Sequence, residues 1–247
     1  MTMRADVTRK RPAMILFDYG GTILWEPDVD FLRGERAVFR HVIKNPRGLT
    51  PEELSRFEGQ LFRSWDPARG MGFEPGELQL LRFKYEYNEI ELDVSLAEAE
   101  NILWDNACPL SDDCRTPHIA DALAALRGAG VRSGVISNIS WSATALRRRI
   151  DLLLPHNDFE FVIASCAYGV RKPDRQLFEL ALRKARLSAD QVWFCGDTFE
   201  TDVVGAASAG MLPILYSAKG RAPSADDPDY LVISDWRQLV EWTQRRE

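Results

Sequence analysis

AMILF at residues 13–17 breaks off into DYGGT at residues 18–22. Five apolar residues closed by a carboxylate and a glycine pair read as a buried strand delivered into a tight loop. Similar apolar runs recur further along the chain, at 131–136, 161–164, 192–195, 212–215 and 230–233. Helical patterns lie between them. Residues 117–128 space Ile119, Leu123 and Leu126 on one face and stop at a glycine. Residues 174–185 open on an N-cap aspartate and place Leu177, Phe178, Ala181 and Leu182 at helical spacing. Residues 202–209 end at Gly210, and 235–245 follow the last apolar run. Strands alternating with helices predict βαβ units, hence an α/β fold with a doubly wound, Rossmann-like parallel sheet covered on both faces.

The segment from about 28 to 109 breaks this rhythm: it holds no convincing strand and several helix signals. Thr50-Pro51-Glu52-Glu53 is a capping box with proline at the first helical position, followed by Leu54, Phe57, Leu61 and Phe62 on one face. Residues 31–43, 77–88 and 96–105 read as three more helices. The expected organisation is a core of residues 1–27 and 110–247 with an inserted α-helical cap domain, 28–109. Crossings near Glu26-Pro27-Asp28 and 109–113 would be hinges about which the cap moves as a lid.

Composition narrows the function classes. The chain has 247 residues, 45% apolar and 28% charged, an ordinary globular balance. A net charge of −6 argues against a nucleic-acid surface, which needs excess lysine and arginine. The one basic cluster, Arg147-Arg148-Arg149, sits in a helical pattern and reads as a solvated face. Cys108, Cys114, Cys166 and Cys195 show no paired spacing and no adjacent histidine, so they fit neither a zinc site nor a disulfide framework. Reduced thiols in the cytoplasm are the simplest expectation. His41, His118 and His156 are scattered and read as surface or packing residues. MTMRADVTRKRP at the start is basic, with no apolar stretch behind it to make a signal peptide, and no run reaches the about 18 apolar residues of a membrane span. The expectation is a cytoplasmic monomer or homodimer that binds neither membrane nor nucleic acid.

In an open parallel sheet, ligands bind beyond the carboxyl ends of the strands. The polar residues at those positions are Asp18, then Ser137-Asn138, then Arg171-Lys172-Pro173-Asp174, then Gly196-Asp197. Carboxylates, a hydroxyl and a lysine converging on one crevice make sense if a cation sits among the carboxylates and an anion beside it. Such an oxygen-rich set suits Mg²⁺.

Taken in order, these residues resemble the four motifs of the haloacid dehalogenase-like superfamily, in its helical-cap subclass. D-Y-G-G-T (18–22) is similar to its Asp-x-x-x-Thr motif, and V-I-S-N (135–138) to its strand ending in serine. R-K-P-D (171–174) supplies the lysine, and G-D-T-F-E-T-D (196–202) is similar to the Gly-Asp-x-x-x-x-Asp form. Singly these are weak signals; four in order, each at a strand end, are specific. The resemblance implies a hydrolase acting on a small phosphorylated substrate, with Asp18 as nucleophile and an aspartyl-phosphate intermediate. It implies that Asp18, the backbone carbonyl of Gly20, Asp197 and Asp202 hold Mg²⁺, with Asp202 at close range or acting through water or Lys172. Ser137, Asn138 and Lys172, with Gly21 and Thr22, would bind the phosphoryl group.

The chain departs from the family at one position. Phosphatases of the family carry aspartate two residues after the nucleophile, where it protonates the leaving group and then activates water; here that residue is Gly20. The carbonyl survives for the metal, but the side-chain acid, worth about 10²–10⁴ in rate, is gone. Tyr19 is adjacent, yet strand alternation points it away from Asp18. A substrate with a good leaving group, or transfer to an acceptor other than water, follows from that loss. Dehalogenases manage without the acid but lack the metal carboxylates present here. Phosphonatases show a small residue at this position and need a lid lysine; Lys44 and Lys84 are the lysines of the insertion. A non-catalytic phosphometabolite-binding protein is the reading from another class.

Overall fold

β1 (Met14–Phe17) is buried along its whole length, as a strand covered on both faces must be. The computed structural model describes residues 11–217 and 224–244. The basic residues 1–10 and Arg245, at the end of the last predicted helix, lie outside the described residues.

After β1 the chain enters the insertion through α1 (Phe31–Phe39), β2 (Val42–Lys44), α2 (Pro51–Ser64) and α3 (Asp66–Gly70). It leaves through α4 (Glu77–Tyr87), β3 (Glu91–Leu92) and α5 (Leu96–Ala107). The alternating part then follows: α6 (Ile119–Gly128), β4 (Arg132–Ser137), α7 (Ala143–Leu153), β5 (Val162–Ala164) and α8 (Arg175–Ala185). It ends with β6 (Val192–Gly196), α9 (Val204–Ser208), β7 (Leu212–Tyr216), β8 (Leu231–Ile233) and α10 (Trp236–Gln244). Six strands form one sheet in the order β5-β4-β1-β6-β7-β8, and every pair is parallel. β1 therefore stands where the winding reverses, with β4 on one side and β6 on the other, which is where a crevice opens at the strand ends. Phe17 pairs with Val135 and with Cys195, so Asp18, Ser137 and Gly196 emerge at one rim.

The insertion is helical, as its pattern predicts, with one correction. Residues 42–44 and 91–92 form a two-stranded antiparallel ribbon, separate from the main sheet, where no strand is expected. The first helix stops at Phe39 because Val42 and Ile43, β-branched neighbours, pair with the returning chain instead. Cross-strand ion pairs, Lys44 to Glu91 at 2.5 Å and His41 to Asp93 at 2.9 Å, fix the register. Thr50 caps α2 through the full capping box. Inside the insertion, Lys84 is fully buried between Glu35, at 2.5 Å, and Glu58. One apolar cluster runs without a break from Phe17, Tyr19 and Ile23 to Leu54, Leu81 and Leu103. None of the helices among the described residues is long and apolar enough to cross a membrane. All four cysteines are free.

A second correction concerns the arginine cluster. Arg147 and Arg148 lie at the surface, paired with Asp151 and Asp105. Arg149 is 1% exposed. It lies on the inner face of α7, over the Trp104 ring at 5.0 Å, and donates to the Cys108 carbonyl at 2.7 Å and the Tyr19 hydroxyl at 3.2 Å. Helical periodicity turns one residue of any such triplet toward the core, and here an acidic, aromatic niche receives it.

The insertion is held to the core by buried carboxylates. Glu100 accepts from the Ser142 N–H at 2.7 Å and the Ser142 hydroxyl at 2.6 Å, while Trp104 stacks on Trp141 at 4.6 Å. The Glu77 N–H donates to the Ser140 carbonyl at 2.7 Å. Burial pushes the Glu77 carboxyl up to about 8, Glu58 adding to the shift and Lys84 opposing it. The folded chain thus keeps this proton up to about pH 8, whereas an unfolded chain releases it near the ordinary value of 4.5. Stability linked to it is full below the lower value and is lost as pH rises through the upper one. Raising the pH from about 5 to about 9 should therefore lower the wild-type Tm relative to that of Glu77→Gln, by about 2–4 °C for each kcal/mol involved. Parallel Tm–pH curves for the two proteins would contradict this assignment.

Candidate active site

The site is built around a lysine. Lys172 is 2% exposed, and its ammonium donates to Asp18 Oδ1 and to Asp202 Oδ1, both at 2.6 Å, and to the Ile136 carbonyl at 3.1 Å. Asn138 fixes its backbone: Oδ1 accepts from the Lys172 N–H at 2.7 Å, and Nδ2 donates to the Lys172 carbonyl at 2.9 Å. The amide of Asn138, expected to bind substrate, thus positions the lysine, and the residue also lies on the pocket wall.

Asp18 follows β1 directly, and its N–H continues the ladder to the Cys195 carbonyl at 2.9 Å. The chain then turns so tightly that the Tyr19 carbonyl accepts from the N–H groups of Thr22, Ile23 and Leu24. Gly21 has φ +74°, and a Cβ there would overlap the Asp197 carboxylate, so only glycine fits. Its own N–H is bonded to the Leu24 carbonyl. Thr22 is fully buried; its hydroxyl reaches Asp18 Oδ2 at 3.4 Å and Asp197 Oδ1 at 3.5 Å. The turn thus carries Thr22, expected among the substrate contacts, beneath the two carboxylates. Tyr19 points away from Asp18, as alternation predicts, with its hydroxyl toward Glu26 and Arg149.

Asp202 differs from the expected start of a helix. Residues Phe199–Val203 form a wide π-helical turn before α9. This turn directs Asp202 inward, where Oδ2 accepts from the Thr198 N–H at 3.0 Å while Oδ1 holds Lys172. Gly196 is required beside it, since a Cβ would overlap the Asp202 side chain.

Oxygens of Asp18, Asp197 and Asp202 lie within 4.8 Å of one another, the one such group of potential metal ligands found among the described residues. Three carboxylates face a single ammonium. Burial pushes Asp18 up to about 7, against the pull of Lys172 and with the charges of Asp202 and Asp197 adding to the shift. Asp197 is raised for the same reasons, burial first and then Asp202. Burial alone would lower Lys172, but Asp18 and Asp202 together hold it above its ordinary value. An all-oxygen donor set with excess negative charge fits a small hard dication.

Asp18, Gly20, Gly21, Ser137, Asn138, Lys172, Asp197 and Asp202 share the wall of one pocket of about 570 Å³. Sequence reasoning missed Trp25, Glu26 and Trp141 on that wall, and placed Arg171 only as a neighbour of the lysine. The signal for Glu26 was its place in a presumed hinge; nothing in the local pattern marked Trp141. Neither Lys44 nor Lys84 lies on the wall: the first pairs with Glu91 at the surface, the second is enclosed by Glu35 and Glu58.

Known proteins bear on this site. Residues 13–210 match the family described as haloacid dehalogenase-like hydrolase. Among curated relatives, a glyceraldehyde 3-phosphate phosphatase from Methanothermobacter thermautotrophicus is 32% identical over 130 residues, 51% of this chain and 57% of that protein. The chain spans about half the length of such curated relatives. Among solved structures, a 2-haloacid dehalogenase from Pseudomonas syringae pv. Tomato DC3000 aligns with TM-score 0.61 at 22% identity, over 93% of this chain and 96% of that one. An HAD phosphatase from Thermococcus onnurineus aligns with TM-score 0.59 at 19% identity, over 92% of this chain and 96% of that one. A dehalogenase and a phosphatase match the fold equally well, so the fold does not choose the reaction. With the four motifs gathered on one rim and the family match covering most of its length, the chain belongs to the haloacid dehalogenase-like hydrolases.

Proposed function

We propose that the protein is a Mg²⁺-dependent phosphohydrolase of a small phosphorylated metabolite, working through an aspartyl-phosphate on Asp18 and suited to a good leaving group. The observation that carries this reading is the cluster of Asp18, Asp197 and Asp202 around one buried lysine. Expelling a halide needs no cation, so a carboxylate cluster that fits a dication favours phosphoryl transfer. A phosphonatase needs a lysine from the insertion, and Lys84 is locked in its own ion pairs.

In this reading Asp18, the Gly20 carbonyl and Asp197 hold the cation, with Asp202 nearby and occupied chiefly in holding Lys172. Mg²⁺ would supply charge neutralisation on the phosphoryl oxygens and so lower the barrier to attack. A carboxylate oxygen of Asp18 attacks phosphorus, and the electron pair of the breaking P–O bond departs with the leaving group. The charge of Lys172 neutralises the transferring group while its hydrogen bonds hold Asp18 in place, and Ser137 orients that group. Residues 28–109 act as the cap, with Trp141 and Arg171 on the wall beneath it setting the shape of the site.

Three experiments test this. Asp18→Asn, or excess chelator on the wild type, should abolish hydrolysis, since an amide is neither a nucleophile nor a good metal ligand. Full activity under either condition would overturn the assignment. Single-turnover assays of the wild type separate the remaining readings: a hydrolase releases phosphate, a transferase releases it only to an added acceptor, and a binding protein does neither. Gly20 offers the sharper probe. Its φ is not positive and a Cβ would meet no heavy atom within 4 Å, so the backbone admits a side chain at this position. Hydrolysis of an alkyl phosphate should rise at least about tenfold in this variant, and an aryl phosphate should gain less. Equal or falling rates for both substrates, at unchanged Tm, would mean that no leaving-group acid is missing.

A further inference from the structure

Hydrolysis of an aspartyl-phosphate needs a base to activate water, and Gly20 cannot be that base. The carboxylates on the pocket wall are Asp18, Asp197, Asp202 and Glu26. The first three form the acidic cluster, and Asp202 has both oxygens occupied, by Lys172 and by the Thr198 N–H. Lys172 is saturated by its two carboxylates. Burial holds the Tyr19 phenol well above its ordinary value, and its proton is directed at Glu26. Arg171 carries a permanent charge and faces Glu74.

Glu26 is placed differently. Two donors converge on a single oxygen, Oε1: Trp104 Nε1 at 2.7 Å and the Tyr19 hydroxyl at 3.4 Å, with the Arg149 guanidinium in ion-pair contact at 3.3 Å. The Cys108 thiol also bonds to this carboxylate, and the side chain, 22% exposed, lines the pocket that holds Asp18. A carboxylate so anchored keeps a fixed orientation, and it is the one carboxylate of this wall that lies outside the acidic cluster.

We infer that Glu26 is the general base of the second half-reaction, replacing for water activation the aspartate absent at position 20. This rests on the aspartyl-phosphate reading above. The Glu26 carboxylate takes a proton from a water molecule in the pocket as that water's oxygen bonds to phosphorus. The P–O bond to Asp18 breaks, its electron pair returns to the Asp18 carboxylate, and phosphate is released; the Glu26 proton then passes to solvent. The same residue gives no help to the leaving group in the first half-reaction, which is consistent with a chain that has dispensed with the leaving-group acid.

The test is a rapid-quench single turnover of the full chain with Mg²⁺ and an aryl phosphate, reading phosphoenzyme formation and decay separately. Glu26→Gln, which keeps an acceptor for Trp104, should form phosphoenzyme at the wild-type rate and lose it about 10²-fold more slowly. Adding Gly20→Asp to that variant should restore decay to within about tenfold of wild type. Should Glu26→Gln fail to fold, Glu26→Asp keeps the ion pair, withdraws the carboxylate, and should show the same split. Unchanged decay, or formation slowed as much as decay with no rescue, would overturn the inference and reduce Glu26 to a structural anchor. A wild type that forms no phosphoenzyme at all would overturn the aspartyl-phosphate reading, and this inference with it.

Discussion

The ion triple of Asp18, Lys172 and Asp202 is the constraint on which the rest of the molecule depends. An ammonium taken out of water is tolerable only when its partners are close and its hydrogens are used, and Lys172 meets both conditions with two carboxylates and the Ile136 carbonyl. Each partner must then be delivered to a fixed point. The parallel register of β1 with β6 delivers Asp18, the Asn138 amide pins the Lys172 backbone, and the wide turn at Phe199–Val203 brings Asp202 inward. Gly21 and Gly196 leave room for the carboxylates, where any side chain would collide with them. The cost of burying these charges is consistent with chemistry rather than stability as the reason for them.

The insertion meets the core at the loops that carry the site. Ser140 and Ser142 follow Ser137 and Asn138 directly, and they are gripped by Glu77 and Glu100. Gly72 and Glu74 meet Gly169 and Arg171 next to Lys172, through backbone bonds and the Glu74–Arg171 pair. Glu26, Trp104 and Arg149 join the two parts beside Tyr19. Movement of residues 28–109 relative to the sheet would thus be felt first at the groups proposed to bind and hydrolyse the phosphoryl intermediate.

Much of this was legible in the sequence where the signal is local. Apolar runs of four to six residues marked every strand of the main sheet, and the one or two residues just past three of those runs include Asp18, Ser137 and Asp197. The Thr50 capping box and the Asp174 N-cap appear as read. What was hidden depends on partners distant in the chain. Val42–Lys44 becomes a strand only because Glu91 and Leu92 return beside it. Arg149 is buried only because Glu26, Trp104 and Cys108 form a niche for it. The place of Thr22 and Asn138 in a motif shows nearness to the site, and their hydrogen bonds to Asp18, Asp197 and Lys172 become visible only in the fold.

The central claim is that Asp18 attacks phosphorus, and one labelling experiment addresses it directly. Enzyme in excess over an activated phosphate ester would complete a single turnover in heavy-oxygen water with Mg²⁺. Released phosphate and the peptide carrying Asp18 would then be weighed by mass spectrometry. The account predicts heavy oxygen in the phosphate and an unlabelled Asp18, because water attacks phosphorus and the carboxylate leaves intact. Heavy oxygen in the Asp18 carboxylate would contradict it, since that label enters only when water attacks the carboxyl carbon of an ester formed by displacement at carbon.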